Sequence, residues 1–246
     1  MIVMSIAGVD PSAGAGVFAD IKTFQAIGVY GYGVITALTS QNPNKVYSIK
    51  AIESEYVEEQ IDAVLDFHDV EFIKTGMLYS TDTIKTIAKK IKEYDLKAIV
   101  DPVMIATAGG NLAKDDLSHD LNKYLLPKAY LTTPNISEAE KLTNMEIKNV
   151  DDAVISSKIL AKKCNTLITG GHLDGLNTLN IDNNVSIYKQ KLLKTDNLHG
   201  TGCNLSSAIT AYLAKGNDLE KACRNSFDYV YESIKNGKYG TLIADL

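Results

Sequence analysis

Segments that read as strand and segments that read as helix alternate along this chain, and few patterns restrict a fold as much. Residues 2–7 are continuously apolar, as a strand buried on both faces would be, and 16–27 carry a helical pattern. Residues 33–39 are apolar and β-branched again, 54–65 set Val57, Ile61, Val64 and Leu65 near helical spacing, and 72–75 make a short strand. Over 81–94, Ile84, Ile87, Ala88 and Ile91 fall on one helical face, with Ser80 or Thr81 placed to cap it. Strands at 98–100, 130–132 and 166–169, a helix at 150–163 and closing helices at 202–215 and 219–236 continue the alternation. Each helix returns the chain across the sheet, so the strands run mostly parallel with helices on both faces. One hairpin is expected, between 178–181 and 185–190 around Asp182-Asn183-Asn184. Linkers, internal repeats and low-complexity stretches are absent, which predicts a single domain over residues 1–246.

Composition narrows the function. The net charge is −5 and the lysines are dispersed, so a nucleic acid is not the expected partner. The apolar start, residues 1–8, is short for a signal segment and no run reaches the length of a membrane span, which predicts a cytoplasmic protein. The cysteines are Cys164, Cys203 and Cys223, odd in number and without metal-type spacing, as suits a reducing compartment.

In a sheet of this kind, ligands bind beyond the carboxyl ends of the strands. The polar and glycine-rich segments fall there: 10–16 after the first strand, 41–44 after the second, 76–77, 101–104, 133–135 and 170–172. The sequence Leu198-His199-Gly200-Thr201-Gly202-Cys203 then leads straight into a helix. Unpaired amides at such a helix start form a ready anion site, and the helix dipole there would favour a thiolate at Cys203. Taken alone, a plain loop-to-helix turn explains the glycines equally well.

Together these segments resemble the ribokinase-like superfamily, and within it the hydroxymethylpyrimidine/phosphomethylpyrimidine kinases. The resemblance rests on 6–16, 19–24, 34–42, 73–78, 100–104, Leu126-Pro127, 133–139, Gly170-Gly171-His172 and 199–203, in the family's order and over nearly the whole chain. It implies a three-layer α/β sandwich and ATP-dependent, Mg2+-assisted phosphorylation of 4-amino-5-hydroxymethyl-2-methylpyrimidine, then of its monophosphate, for thiamine biosynthesis. The implied partners are the pyrimidine alcohol and ATP, with no nucleic acid and no membrane, and with a homodimer as the common assembly of the family.

The resemblance also assigns roles. Cys203 is the implied base, and the amides of Gly200, Thr201, Gly202 and Cys203 would hold charge on the transferred group. Gln41, whose amide both donates and accepts, would read the aminopyrimidine. Gly8, Ala15, Asp20, Met77 and Val103 match other positions of the substrate pocket, although core packing explains Met77 and Val103 equally well. Asn135 and Glu138 match a magnesium-associated motif that also reads as a helix cap, and Asp101 matches an acidic position near the phosphates. Thr169 stands where the family usually has a lysine that contacts phosphate, which removes a point charge from the nucleotide side. His172 would order its loop. Two alternatives stay open: a pyridoxal kinase of the same branch, against which stand Gln41 and the absence of a cysteine in 105–110, and a catalytically weakened pyrimidine-binding sensor, which Thr169 would favour.

Overall fold

The computed structural model describes residues 1–104, 117–171 and 173–244. The loop 105–110 and His172 lie outside the described residues.

Nine strands form one sheet in the order β3-β2-β1-β4-β5-β6-β7-β8-β9. They are β1 (Ile2–Val9), β2 (Tyr30–Asn42), β3 (Lys45–Ala51), β4 (Phe72–Thr75), β5 (Lys97–Val100), β6 (Ala129–Thr132), β7 (Asn165–Ile168), β8 (Leu176–Ile181) and β9 (Asn184–Lys189). From β2 through β1, β4, β5 and β6 to β7 all pairings are parallel. The strand order turns back at β1, which has β2 on one side and β4 on the other, and such a switch opens a crevice at the strands' carboxyl ends.

The helices are α1 (Gly16–Ile27), α2 (Ser54–Leu65), α3 (Thr81–Glu93), a single turn α4 (Ser118–Asp120), α5 (Ile136–Thr143), α6 (Val150–Leu160), α7 (Thr201–Ala214) and α8 (Leu219–Lys235). Alternation along the strands divides them between two cores. Val3, Phe72, Ile99 and Leu131 face Phe24 of α1, Leu205 and Ile209 of α7, and Phe227 and Val230 of α8. Met4, Ile6, Ile73 and Val100 face Val57 and Ile61 of α2 and Ile84, Ile87 and Ile91 of α3. Each such fully buried aliphatic side chain contributes ~1.5–3 kcal/mol of transfer free energy, which fixes the register of strand against helix. The α3 stripe is the expected one, and its cap is Ser80, which accepts from the Thr83 amide.

Two antiparallel elements flank the parallel strands where one was expected. The anticipated hairpin is β8–β9, turned by Asp182 and Asn183 at φ 50 and 67°, the left-handed pair that a two-residue hairpin needs. The other is β2–β3: the second strand, expected over 33–39, runs to Asn42, and Lys45–Ala51 pairs back along it. Gln41 and Asn42 therefore end a strand instead of following it. The helix expected at 150–163 stops at Leu160, and that expected from 202 begins at Thr201.

Candidate active site

The turn before α7 is shaped by what cannot be there. Gly200 has φ 85°, and a Cβ on it would lie 1.7 Å from the Gly14 carbonyl oxygen, so only glycine closes the turn against the loop after β1. The Asn204 amide donates to the Gly200 carbonyl and starts the helical ladder. Gly202 and Cys203 thus occupy the first turn, where amides have no carbonyl of their own helix to bind. Thr201 departs from expectation: its amide and its hydroxyl both donate to the Leu198 carbonyl, at 3.2 and 2.7 Å. It shapes the turn and does not offer its amide to an anion. Beside the turn, a Cβ on Gly202 would meet only the Asp101 Oδ2, 3.9 Å away, so the space between helix end and carboxylate is open.

A small cleft lies against this turn. Gly8, Ala15, Gln41, Met77, Val103 and Cys203 line it as expected, and Asp10, Thr39 and His199 join them. Gln41 sits at an irregularity in the β2–β3 pairing, the kind of bulge that re-aims a side chain. Met77 and Val103 pack with Ala37, Val46 and Ile49, so the β2–β3 hairpin backs the apolar wall. The Thr36 hydroxyl donates to the Met77 carbonyl and holds that wall in place.

Asp20 does not line the cleft. It is fully buried, where both carboxylate oxygens accept from the Lys74 ammonium at 2.9 and 3.0 Å and the hydroxyls of Ser5 and Ser207 donate to it as well. A buried carboxylate and a buried ammonium tolerate each other here because each supplies the other's charge. The sequence gives Lys74 no role; it is the ion closest in field to Cys203 and Asp101 on the sheet side, and it pulls the Cys203 thiol downward.

That pull does not win. Burial pushes the Cys203 thiol up to about 12, with Lys74 and the Gly16 amide opposing and Asp101 and Asp20 reinforcing. The thiolate expected from the helix dipole is therefore not the resting form. The Asp101 carboxyl is itself raised by burial and by Asp20 against the pull of Lys74. The Ser206 hydroxyl donates to the same carboxylate at 3.2 Å.

Across the open space stands Glu138. Burial first, and then the charge of Asp101, push its carboxyl up to about 8. Asn135 and Glu138 form a full capping box: the Asn135 side chain accepts from the Glu138 amide and Glu138 accepts from the Asn135 amide, each at 2.9 Å. Asn135 Oδ1 is thereby committed to the helix, and the capping reading of this motif holds. Among the described residues no group of three or more His, Cys, Asp or Glu side chains is placed to cage a metal. Two buried carboxyls, of which Glu138 is raised by the charge of Asp101, do fit a hard cation that takes its remaining ligands from water and phosphate. Thr169 bridges to Asn135 at the ends of β6 and β7, half-buried, on this same side.

Asp10 and His199 fall in the segments 10–16 and 199–203, and the sequence alone assigns neither a role. His199 Nε2 and Asp10 Oδ2 are 2.7 Å apart, and both residues are buried at the cleft. Although burial raises the Asp10 carboxyl, hydrogen bonds from His199 and Ser12 bring it down to about 2. The only sign in the sequence is position: an aspartate ending the first strand, and a histidine just before the glycine turn.

An open α/β sheet with an amide-lined turn facing carboxylates at its strand ends is the architecture of a phosphoryl-transfer enzyme. Comparison with known proteins narrows this class. A family model described as phosphomethylpyrimidine kinase matches residues 10–242, and the chain belongs to that family. The hydroxymethylpyrimidine/phosphomethylpyrimidine kinase of Bacillus subtilis (strain 168) is 38% identical over 240 residues, which are 95% of this chain and 89% of that protein. The crystal structure of phosphomethylpyrimidine kinase from Clostridium difficile 630 superposes with a TM-score of 0.85 at 39% identity, over 95% of this chain and 99% of that one. The pyridoxal kinase of Staphylococcus aureus, solved with AMP-PCP and pyridoxal, gives a TM-score of 0.88 at 29% identity over 99% of this chain and 92% of that one. The three-layer, ribokinase-like sandwich implied by the sequence is the fold observed. Among the described residues no helix is long and apolar enough to cross a membrane.

Proposed function

We propose that this chain transfers the γ-phosphoryl group of ATP to the hydroxymethyl group of 4-amino-5-hydroxymethyl-2-methylpyrimidine, and then phosphorylates the monophosphate, supplying the diphosphate for thiamine biosynthesis. The observation that carries this reading is that Gln41 and Cys203 line one cleft, next to the amides of Gly202 and Cys203. The Gln41 amide matches the amino group and adjacent ring nitrogen of an aminopyrimidine, while Met77 and Val103 offer apolar walls for the ring. The helix-terminal amides stabilise charge on the group in transfer.

Cys203 accepts the alcohol proton once its own thiol proton has been lost, a loss that burial opposes and the charge of Lys74 favours. Glu138 and Asp101 would hold the Mg2+ of the nucleotide, which supplies charge neutralisation at the phosphates. Thr169 offers the nucleotide side a neutral hydrogen bond in place of an ammonium, so the amide turn and the cation carry more of the phosphate charge.

Pyridoxal kinase is the second reading, favoured by the fold's likeness to the Staphylococcus aureus enzyme. A coupled ATPase assay with the pyrimidine alcohol, its monophosphate and pyridoxal decides between them, and is expected to show turnover with both pyrimidines. Binding without turnover of any of the three would establish a sensor instead. Replacing Cys203 by alanine is expected to lower kcat by ~10²–10⁴-fold with ATP binding retained, the range for a lost proton acceptor; near-normal turnover would remove Cys203 from the chemistry.

A further inference from the structure

The loop after β1 and the turn before α7 are 189 residues apart at their closest side-chain link, yet they meet. The Gly14 carbonyl lies against Gly200, where a Cβ would come within 1.7 Å. Asp10 Oδ2 pairs with His199 Nε2 at 2.7 Å. The second contact joins two side chains, so it can be removed without changing a glycine or the reacting thiol.

Asp10 is also the carboxylate around which its own loop is folded. Its oxygens accept from the Ser12 amide at 2.9 Å, the Ser12 hydroxyl at 2.8 Å and the Ala15 amide at 2.9 Å. Ala15 and the next residue, Gly16, line the cleft together with Cys203. His199 is fixed in turn, its amide donating to the Gly240 carbonyl while Gly200 follows directly. A displacement of Asp10 relative to His199 therefore displaces the pyrimidine wall relative to the amide turn. Among the described residues, His199 Nδ1 has no hydrogen-bond partner, so the ring's one side-chain hydrogen bond is that of Nε2 to Asp10.

We infer that Asp10 and His199 form a latch that sets the distance between the pyrimidine pocket and the phosphoryl-transfer turn. They are positioning residues for the transfer step and not groups that take part in it. The latch rests on the reading of the 200–203 turn as the phosphate site. Misalignment of reacting groups by an ångström costs rate far more than it costs binding.

The test compares His199→Leu, which removes the donor, with His199→Gln, whose side-chain amide can still donate to Asp10, and with Asp10→Asn/His199→Leu. His199→Leu is expected to lose kcat by about 10- to 100-fold while KM for the pyrimidine alcohol changes by less than about 3-fold. His199→Gln should recover most of that loss, and the double variant should be no slower than His199→Leu alone. A second measurement needs no substrate: alkylation of Cys203 by iodoacetamide at fixed pH, followed by peptide mass spectrometry, should be several-fold faster in His199→Leu, roughly in step with the loosened loop. The latch is overturned by unchanged kcat and unchanged alkylation in His199→Leu, by a glutamine variant no better than leucine, or by a double variant slower than His199→Leu alone. Absence of pyrimidine turnover in the unsubstituted chain overturns the functional reading instead, and the alkylation comparison still decides whether the two segments are latched.

Discussion

The two sides of the cleft handle charge in opposite ways. Beneath and beside the proposed pyrimidine pocket, carboxylates are closed onto partners: Asp20 onto the Lys74 ammonium, and Asp10 onto a hydrogen bond with His199. On the proposed nucleotide side, Asp101 and Glu138 are buried and both carboxyls are raised, Glu138 in part by the charge of Asp101. The difference teaches which part is assembled before substrate arrives. The first side is complete in itself, whereas the second carries carboxyls that an incoming cation would suit.

The largest effect separating the two is the loss of a closed pair. Lys74→Met leaves Asp20 buried with no counter-charge and should lower the unfolding free energy by about 3–5 kcal/mol, read from denaturant midpoints. Adding Asp20→Asn should return part of that loss; if it does not, the pair is not what Lys74 contributes.

The same change of charge on the other side should behave differently. Glu138→Gln keeps an oxygen for the Asn135 amide but removes a carboxylate that burial already disfavours. It should leave the thermal midpoint unchanged or raised while weakening Mg2+-dependent turnover by about 10-fold or more. The sign with pH follows from the carboxyl standing near 8 in the folded protein against an ordinary 4.5. The folded state then holds a proton that the unfolded chain releases. Glu138 thus favours folding below about pH 4.5, and that contribution is lost as pH rises through about 8. Melting curves at several pH values should show this decline in the parent and not in Glu138→Gln.

A smaller effect is expected from restoring an ammonium near the phosphates. Thr169→Lys should lower KM for ATP by about 3- to 10-fold at low ionic strength, with the gain shrinking as salt is raised. No change in either would separate Thr169 from the phosphates. The smallest effect lies at acid pH. Asp10, held near 2 against 3.8, stabilises the fold above about pH 4 and loses that contribution as pH falls toward 2. Asp10→Asn should flatten that limb of the melting profile, and an unaltered limb would assign acid sensitivity elsewhere.

Periodicity made the parallel sheet legible, because α3 and the buried strands carry unbroken apolar patterns. It missed β3 because Lys45-Val46-Tyr47-Ser48-Ile49-Lys50 lies at the sheet's edge, half wet on both faces, where no stripe is enforced. The glycine turn was legible for a different reason, because its shape is local, whereas Gln41 draws its expected role from the family resemblance. What stayed hidden depends on distance in three dimensions. Asp20 sits on the inward face of α1 beside Lys74 of β4, and that neighbour decides whether it meets solvent or a partner. The Cys203 pKa was misjudged because a helix start is visible in sequence and the burial around it is not. Asp10 and His199 carry no joint signal at all until the sheet brings them together.

The turn at 238–241 bears on how the protein comes into being. Gly240 accepts from the His199 amide, Thr241 bridges to His199, and Thr241 fills the space beside Gly14. The amide turn is therefore shored up by segments that are made far apart in time. A ribosome-bound chain that already holds α1, the sheet and α7 still lacks this support until residue 241 has cleared the exit tunnel. The emerging chain would gain its ability to bind pyrimidine and phosphate together in one late step, after most of the sheet has formed.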